Sequence, residues 1–410
     1  MKRQKIAVMG YGVVGSGVVE AFYNAHDEIS QKISDETDIK YILDIVSHTG
    51  TPFDEKFISD FEIIVNDPEV SVVAEVIGGI NPAYTFTKRC LEAGKSVVTS
   101  NKELVATKGA ELLKIAKENN VLYLFEASVG GGIPIIRPLR MCLVGNNIKQ
   151  IAGIVNGTTN FILTKMFEDK MSFEEALSLA QKLGYAERNP AADIEGHDAS
   201  RKICILSSLV CRKHIYPEEI HTEGITKITS DDVAAAAKIG YSIKLIAFCK
   251  QLENQKIQAL VAPMMIPPES RLYNIKDVFN GVVVVGDAVG EVAFYDRGAG
   301  KLPTASAFVS DIIECVKFAD VSLPLMWNDS SKDTVIDYTQ GRFSFCIRVK
   351  NSDTVKTNLS SLVGDAVFTD EFNDELLYIT NEIKESDFIA ALDKLSEQNE
   401  TVCSYFRVLK

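Results

Sequence analysis

The feature that most constrains the fold of this chain is a turn with three spaced glycines close to its start. Residues 5–9 form a short β-type run that leads into Gly10-x-Gly12-x-x-Gly15, and an apolar-periodic stretch continues to about His26. The first glycine of such a turn permits the sharp bend, the second lets the backbone approach a pyrophosphate, and the third lets the helix pack closely. Free N–H groups at the helix terminus would face the anion. The pattern predicts a dinucleotide site, with a purely structural glycine turn as the alternative.

Strands and helices alternate over the rest of the amino-terminal third, which predicts an α/β fold with a Rossmann-type, doubly wound parallel sheet. The later predicted strands are residues 41–47, 70–77, 96–99 and 121–125, with helices over residues 81–93 and 109–118. We expect a dinucleotide-binding domain over residues 1–134. Residues 303–330 should complete it, because PTASAFVSDIIECVKF has the pattern of a helix that follows a glycine turn.

Two further domains are expected after Pro134. Three β-rich segments alternate there with long helical stretches, which predicts an α+β substrate domain over residues 135–302. Residues 341–410 then give strand, helix, two strands, helix and strand. This βαββαβ order is the ferredoxin-like pattern, in a piece large enough to fold alone.

Composition and charge exclude several classes of protein. The net charge of −13, with no basic stripe to offset it, argues against a nucleic-acid partner. No run of about 20 apolar residues could span a membrane, and the start MKRQKIAVMGYG lacks the apolar core and cleavage site of a signal peptide. The eight cysteines show no CxxC spacing, so we interpret them as free thiols of a reducing compartment. We therefore expect a cytoplasmic protein.

The strongest candidate for chemistry is KLGYAERNPAADIEGHDASRK, residues 182–202, which precedes an apolar helical run. Asp198 and Lys202 are four residues apart and share a helix face. A lysine held beside a carboxylate at the mouth of a cleft can pass a proton to a carbonyl oxygen. The alternative is a solvated helix start with an ordinary ion pair. The turn, the Asn-Pro break and the charge cluster argue against it, because the helix that follows is too apolar for the surface.

Two further segments bear on the cofactor. An acidic residue after the second strand would bind a ribose diol, and an arginine would bind a 2′-phosphate. The chain has Ser47-His48-Thr49 there, so the sequence leaves NAD and NADP open. Lys102, in the motif TSNK, follows another strand at the sheet edge where open α/β folds bind ligands. It could be a solvated loop lysine, or a cation that faces cofactor phosphate or a substrate carboxylate.

Two turns and one histidine complete the candidates. The turn EASVGGGIP, residues 126–134, exposes backbone carbonyls that can hold a hard monovalent cation; a hinge between domains is a compatible interpretation. NGTTN, residues 156–160, places short polar side chains beside a β-segment, which suits an amino-acid substrate. His197 has no histidine and cysteine cluster around it, so no transition-metal site is expected.

Taken together, six motifs resemble the homoserine dehydrogenase family over at least residues 5–320. They are, in this order, the glycine loop, TSNK, EASVGGGIP, NGTTNFIL, KLGYAERNPAADIEGHDASRK and RGAGKLPTASAFVSD. The resemblance implies reduction of L-aspartate 4-semialdehyde to L-homoserine with NADH or NADPH, on the route to threonine, methionine and isoleucine. It also implies a homodimer formed through the second domain, with a dimer of dimers left open.

The resemblance also implies roles for individual residues. Lys202 would donate and accept the proton, with Asp198 and Lys102 beside it as catalytic residues. Substrate would be bound by Glu187, Asp193, Asp198, Thr158 and Tyr185. The cofactor would be bound by Gly10, Gly12, Val13, Val14, Gly15, Gly79, Thr99, Lys102, Gly184 and Gly300. A structural sodium ion would fall on Glu126, Val129, Gly131 and Ile133, largely through backbone oxygen.

Three departures from the family pattern affect these expectations. The usual arginine after the second strand is absent, and Asp296 replaces a glycine often present at the start of the late glycine motif. The carboxyl-terminal piece has the size and element order of an ACT regulatory domain. However, residues 350–355 lack the Pro-Gly turn that usually opens its first helix. Binding of an effector such as threonine is therefore open, and this ACT-like piece could instead serve dimerisation or packing.

Two other functions compete with this interpretation. A two-domain reductase of a different semialdehyde or keto acid would share the fold, but the carboxylate–lysine block argues against it. A catalytically silent amino-acid sensor could have lost Lys102, Glu187, Asp198 or Lys202, and all four are present. No kinase-like segment precedes the glycine loop, so we expect a monofunctional enzyme.

Overall fold

The computed structural model describes residues 4–27, 37–319, 326–329 and 333–409. The chain divides into two compact units. The first consists of Met1–Asn147, Cys204–Pro217 and Asp296–Ser331, and the second of Ile148–Ile203, Glu218–Tyr295 and Lys332–Lys410. The three predicted domain ranges stay predictions, and their predicted limits at residues 1, 330 and 410 lie outside the described residues.

The first unit is built on a parallel sheet. Its described strands are β1 Lys5–Met9, β2 Asp38–Leu43, β3 Phe57–Ile58, β4 Val70–Glu75, β5 Ser96–Thr99 and β6 Tyr123–Leu124. They lie in the order β3-β2-β1-β4-β5-β6, and every neighbouring pair is parallel. The predicted Rossmann-type sheet is therefore confirmed. The strand order reverses between β1 and β4, and ligands of such sheets bind outside the carboxyl ends of the strands at this reversal.

Helices connect these strands and those of the second unit. The described helices are α1 Val13–Asn24, α2 Phe61–Asn66, α3 Ala83–Glu92, α4 Lys102–Glu118, α5 Gly157–Glu168, α6 Phe173–Lys182, α7 Ala191–Ile194, α8 His197–Cys211, α9 Ser230–Lys238, α10 Lys301–Lys317, α11 Val355–Val363 and α12 Glu385–Glu397. The helix predicted after residue 303 is confirmed as α10. It packs on α1, where Phe22 and Phe308 share one apolar core. A Cβ at Gly17 would lie 2.9 Å from the carbonyl oxygen of Lys301, so this close approach requires glycine.

The second unit contains a larger mixed sheet. Its described strands are β7 Ile148–Ile154, β8 His221–Thr222, β9 Ser242–Gln251, β10 Ile257–Ile266, β11 Phe279–Gly286, β12 Gly290–Arg297, β13 Arg342–Lys350, β14 Phe368–Phe372, β15 Glu375–Ile379, β16 Ile383–Lys384 and β17 Val402–Val408. The order is β12-β11-β7-β9-β10-β17-β13-β15-β14, with β8 on β10 and β16 on β13. β7, β9 and β11 pair in antiparallel fashion, which places the end of β7 beside the start of β11.

The carboxyl-terminal strands are part of this same sheet. β17 pairs in parallel with β10, where Met264 is the partner of Arg407. One apolar core combines Phe248 and Leu260 of the central strands with Phe345 and Phe388 of the carboxyl-terminal piece. The element order β13-α11-β14-β15-α12-β17 agrees with the predicted ferredoxin-like pattern, with the two-residue strand β16 as an addition. Its assignment as an ACT-like domain stays a prediction.

The described helices also bear on membrane association. Within residues 4–27, 37–319, 326–329 and 333–409, no helix combines the length and the apolar character needed to cross a bilayer.

Candidate active site

A buried ion pair forms the centre of a polar cluster in the second unit. Lys202 and Asp198 lie one turn apart on α8, and Lys202 Nζ donates to Asp198 Oδ2 at 2.7 Å. The same Nζ donates to the carbonyl oxygen of Val155, at the end of β7, at 2.6 Å. Only 6% of Asp198 and 9% of Lys202 is exposed. A solvated helix start would leave such a pair in water, so that alternative is wrong.

Asn156 connects this pair to a second carboxylate. Its Nδ2 donates to Asp198 Oδ2 at 2.9 Å and to Asp193 Oδ1 at 2.7 Å. Its Oδ1 accepts from the N–H of Thr159 at 2.9 Å and caps the start of α5. One amide therefore holds two carboxylates and a helix start, and one of these carboxylates, Asp198, is the partner of Lys202.

The backbone around this cluster is fixed by two glycines. Gly196 has φ +84° and allows the sharp turn between α7 and α8. A Cβ at Gly224 would lie 2.3 Å from the carbonyl oxygen of Ile194, so only glycine fits this approach. The next residue, Ile225, donates its N–H to that same oxygen at 2.8 Å. The short helix α7, which carries Asp193, is thereby held against the chain after β8.

The remaining predicted substrate residues lie in the same unit. Thr158 Oγ1 donates to the carbonyl oxygen of Tyr185 at 2.6 Å, and the Tyr185 ring packs edge-on against Phe161 with a centroid distance of 5.1 Å. Gly184, a predicted cofactor residue, has φ +78° in the turn after α6. Glu187 is exposed, and its carbonyl oxygen accepts from Gln181 Nε2 at 3.1 Å. The structure brings Thr158 and Tyr185 together but leaves the Glu187 side chain at the surface.

The glycine loop of the first unit has the geometry of a phosphate cradle. Gly10 has φ +104°, a conformation that favours glycine. A Cβ at Gly15 would lie 2.0 Å from the carbonyl oxygen of Gly10, so no larger residue fits there. Gly12 precedes the first turn of α1, and Val13 and Val14 form that turn, with Val13 71% exposed. The free N–H groups of this turn can receive a pyrophosphate.

The predicted end of the second strand is wrong, and the difference concerns the cofactor. β2 ends at Leu43, so Asp44 takes the position that had been given to Ser47-His48. Asp44 Oδ2 accepts from the N–H of Tyr11, inside the glycine loop, at 2.7 Å, and Oδ1 accepts from Val46 at 2.9 Å. Partial burial raises the pKa of Asp44, but these N–H donors outweigh it and lower the pKa below its ordinary value. An ionised carboxylate therefore stands at the edge of the loop.

The other predicted cofactor residues of the first unit follow β4 and β5. Thr99 Oγ1 donates to the buried Glu75 at 2.6 Å. Asn101 Nδ2 donates to the carbonyl oxygen of Gly79 at 2.6 Å, and its Oδ1 caps α4 by accepting from Leu104. Lys102 is therefore the first residue of a helix that was predicted to begin at residue 109. The cap was available in the sequence, because an Asn before a helical run is a typical helix start.

The glycine-rich turn after β6 surrounds a buried carboxylate. Glu126 is 3% exposed, and its oxygens accept N–H bonds from Ile135, Ile136 and Arg137 at 2.6–2.8 Å. A Cβ at Gly131 would lie 2.4 Å from the carbonyl oxygen of Gly298, so the turn is tightly enclosed. A buried carboxylate beside glycine-rich backbone suits a hard cation, which prefers oxygen ligands. In the described ranges no cluster of three His, Cys, Asp or Glu side chains could hold a metal ion, so any ion here would depend on backbone oxygen.

Comparison with known proteins decides the family. Residues 134–313 match the model of the homoserine dehydrogenase family, and residues 10–126 match that of the homoserine dehydrogenase NAD-binding domain. The chain belongs to the homoserine dehydrogenase family. A homoserine dehydrogenase of Synechocystis sp. is 36% identical over 438 residues, which covers 99% of each chain.

Solved structures of homoserine dehydrogenases agree with this assignment. The structure of a homoserine dehydrogenase from Thiobacillus denitrificans is similar with a TM-score of 0.90 and 31% identity over 100% of both chains. A hyperthermophilic archaeal homoserine dehydrogenase, solved in complex with NADPH, has a TM-score of 0.65 and 30% identity. That match covers 79% of this chain and 99% of the archaeal one.

Two residues of the candidate site are not predicted by the sequence. Asn156 belongs to the motif NGTTN, but its bridge between Asp193 and Asp198 depends on how β7 and α8 meet, which no local pattern reveals. Asp44 could have been found, because it is acidic and follows an apolar run. The β-type pattern continues through Ile45 and Val46 and so predicts a later strand end, although these two side chains are 97% and 59% exposed.

Proposed function

We propose that this member of the family interconverts L-homoserine and L-aspartate 4-semialdehyde, with Lys202 as the group that moves the proton. The observation that supports this most directly is the placement of Lys202 Nζ. It is buried, 2.7 Å from Asp198 Oδ2 and 2.6 Å from the Val155 carbonyl oxygen. A lysine ammonium is a hydrogen-bond donor only, and these two contacts fix the position from which Lys202 can act on a substrate oxygen.

The proton and the charge are handled by residues of the second unit. A bound nicotinamide cofactor supplies the hydride acceptor in one direction and the hydride donor in the other. In the reducing direction, the Lys202 ammonium stabilises the developing alkoxide and donates the proton that completes the alcohol. In the oxidising direction, Lys202 accepts the hydroxyl proton. Asp198 orients the lysine in both directions.

The substrate is an amino acid, and the cluster offers groups of matching charge. Asp193 and Asp198 lie beside Asn156 and can accept from the substrate ammonium group. Thr158, Tyr185 and Glu187 are proposed to complete the substrate site. Lys102, at the first turn of α4, is proposed to act near both substrate and cofactor.

The cofactor is proposed to be NAD in preference to NADP. An acidic residue after the second strand of a Rossmann-type sheet accepts from the ribose hydroxyls, and its charge repels a 2′-phosphate. Asp44 occupies that position, and its 2.7 Å hydrogen bond to the Tyr11 N–H anchors it to the glycine loop. Gly10, Gly12, Val13, Val14 and Gly15 are proposed to hold the pyrophosphate. Gly79, Thr99, Lys102, Gly184 and Gly300 are proposed to line the rest of the cofactor site.

The experiment follows the absorbance of the reduced nicotinamide with L-homoserine, run separately with NAD and NADP. The proposal expects turnover with both, and a higher kcat/KM with NAD. A folded protein that turns over neither L-homoserine nor the semialdehyde would contradict the proposed reaction. Adding L-threonine to the same assay tests whether the ACT-like piece binds an effector.

Several broader expectations belong to the same proposal. The enzyme would act in the cytoplasm on the route to threonine, methionine and isoleucine, as a homodimer or a dimer of dimers; sedimentation of the pure protein would test the assembly. A structural sodium ion would be held by Glu126, Val129, Gly131 and Ile133, mainly through carbonyl oxygen. A melting temperature that is the same in sodium and tetramethylammonium chloride would contradict the sodium site.

A further inference from the structure

Asn280, near the start of β11, carries a carboxamide that is buried in the second unit. It is 1% exposed, and among the residues that the structure describes neither its Oδ1 nor its Nδ2 has a partner. Buried polar side chains in folded proteins are nearly always hydrogen-bonded, because an unmet donor or acceptor is costly. A buried amide with both atoms free therefore indicates a position where a ligand or a water completes the bonding.

The register of the sheet places Asn280 beside the Lys202 cluster. Gly281 of β11 is the partner of Ile154 in β7, in antiparallel pairing. One residue further along, Asn280 lies next to Val155, whose carbonyl oxygen accepts from Lys202. The start of α5 also lies close to the residues just before β11, because a Cβ at Gly157 would lie 2.7 Å from the carbonyl oxygen of Val278.

The side chain of Asn280 is also on the appropriate face of the sheet. Gly196 immediately precedes α8, and a Cβ there would lie 3.3 Å from Val261 Cγ1. Val261 pairs with Ala247, Ala247 pairs with Gly153, and Gly153 pairs with Val282 on four neighbouring strands. Paired residues point to the same face of a sheet, so Val282 lies on the same face as Val261. Asn280 is two residues from Val282, so alternation puts its side chain on the same face. This is the face against which the helix bearing Asp198 and Lys202 begins.

We infer that Asn280 is a further substrate-binding residue, whose carboxamide hydrogen-bonds the amino-acid end of the bound L-homoserine. The inference depends on the proposed reaction. Asp193 and Asp198 as carboxylates only accept, and Lys202 as an ammonium only donates. A carboxamide both donates and accepts without adding charge, so it can bind an ammonium or a carboxylate of the same zwitterion. Asn280 is a binding residue and takes no part in the proton transfer.

The test is the variant Asn280→Leu, which keeps the volume and removes both polar atoms. Steady-state kinetics of the full chain should show kcat/KM for L-homoserine lowered about tenfold or more, mainly through KM. The KM for NAD should stay within twofold. The melting temperature should not fall, because two unmet polar atoms have been removed. Ser344→Ala is the matched control: Ser344 is also buried, with no partner for its Oγ among the described residues, but it lies on β13 and should leave both KM values unchanged.

An unchanged KM for L-homoserine in Asn280→Leu would overturn the inference and would leave the amide with a buried water or a purely structural role. If the leucine variant does not fold, Asn280→Ala is measured in its place. A lower melting temperature with an unchanged KM for L-homoserine would then overturn the inference. Failure of the proposed function is distinguishable, because the wild-type chain would then not turn over L-homoserine at all.

Discussion

Lys202 is buried between a carboxylate and a backbone carbonyl, so its removal should affect the chemistry far more than the cofactor. We predict that Lys202→Ala lowers kcat by ~10²-fold or more, because the variant lacks the ammonium group that is proposed to donate the proton. The measurement is kcat and the dissociation constant of NAD, with the latter changing little. Lys114→Ala is the control, since Lys114 forms an exposed i,i+4 pair with Glu118 and should keep full activity. Near-normal turnover in Lys202→Ala would remove this lysine from the mechanism.

Asp44 makes a second residue-scale prediction, on cofactor choice. Asp44→Ser should lower kcat/KM for NAD and raise kcat/KM for NADP, so that the ratio of the two shifts about tenfold or more. The reason is that the proposed hydrogen bond from the ribose hydroxyls to the Asp44 carboxylate is lost, and the repulsion between that carboxylate and a 2′-phosphate is relieved. Asp54→Ser is the control: Asp54 also accepts backbone N–H bonds, from Gly50 and Thr51, in the same connection. A wild-type enzyme that prefers NADP, with a ratio unaffected by Asp44→Ser, would contradict this role.

At the scale of elements, the sequence predicted the order of strands and helices well and their ends less well. β1, the glycine loop and α1 were clear because apolar periodicity and glycine spacing are both local. β2 ends before Asp44 because that carboxylate bonds to the loop of a neighbouring strand, and this contact is not visible locally. Residues 182–202 form a motif that is visible in the sequence, but the bridge through Asn156 and the position of Asn280 depend on strand register.

An ion-pair network ties β17 to the segment before Gly224. Arg407 is 3% exposed and pairs with Glu385 at the start of α12 and with Glu223, the latter at 2.8 Å. Burial raises the pKa of Glu223, but the hydrogen bond from His221 and the charge of Arg407 outweigh it and lower the pKa to about 2. A lowered carboxylate pKa stabilises the fold in full above the ordinary value of 4.5. That stabilisation is lost as the pH falls from 4.5 towards 2.

Glu223→Gln should therefore be less stable than the wild type at neutral pH, with the difference shrinking below pH 4.5. The full lowering of the Glu223 pKa corresponds to ~3 kcal/mol in the free energy of unfolding. We expect a loss of about 1 kcal/mol, because the carboxylate is partly exposed to solvent. Urea unfolding at pH 7 and at pH 3 measures the difference, with the exposed Glu253→Gln as control. A difference that is independent of pH would show that Glu223 contributes through packing and not through charge.

At the scale of the whole molecule, the carboxyl-terminal piece is joined to the rest of the second unit by both hydrogen bonds and apolar packing. β17 pairs with β10, and the Leu409 N–H donates to the carbonyl oxygen of Met265 at 3.0 Å. Phe345 is fully buried and stacks on Phe388 with a centroid distance of 3.8 Å. The ferredoxin-like order suggested a piece that folds alone, but this shared sheet and core favour folding together with the central strands.

We predict that a chain ending at residue 340 will not yield a stable, active enzyme. Removal of β13 to β17 exposes an edge of β10 and the apolar side chains of its core, and each large side chain left in water costs about 1.5–3 kcal/mol. The measurement is the soluble yield, size-exclusion profile and turnover of L-homoserine by the truncated chain. Phe345→Ala in the full chain is a milder test of the same core and should lower the free energy of unfolding, measured in urea, by about 3–5 kcal/mol. A soluble truncated chain with wild-type turnover would show that the central strands form their own core and that the shared sheet is not required for activity.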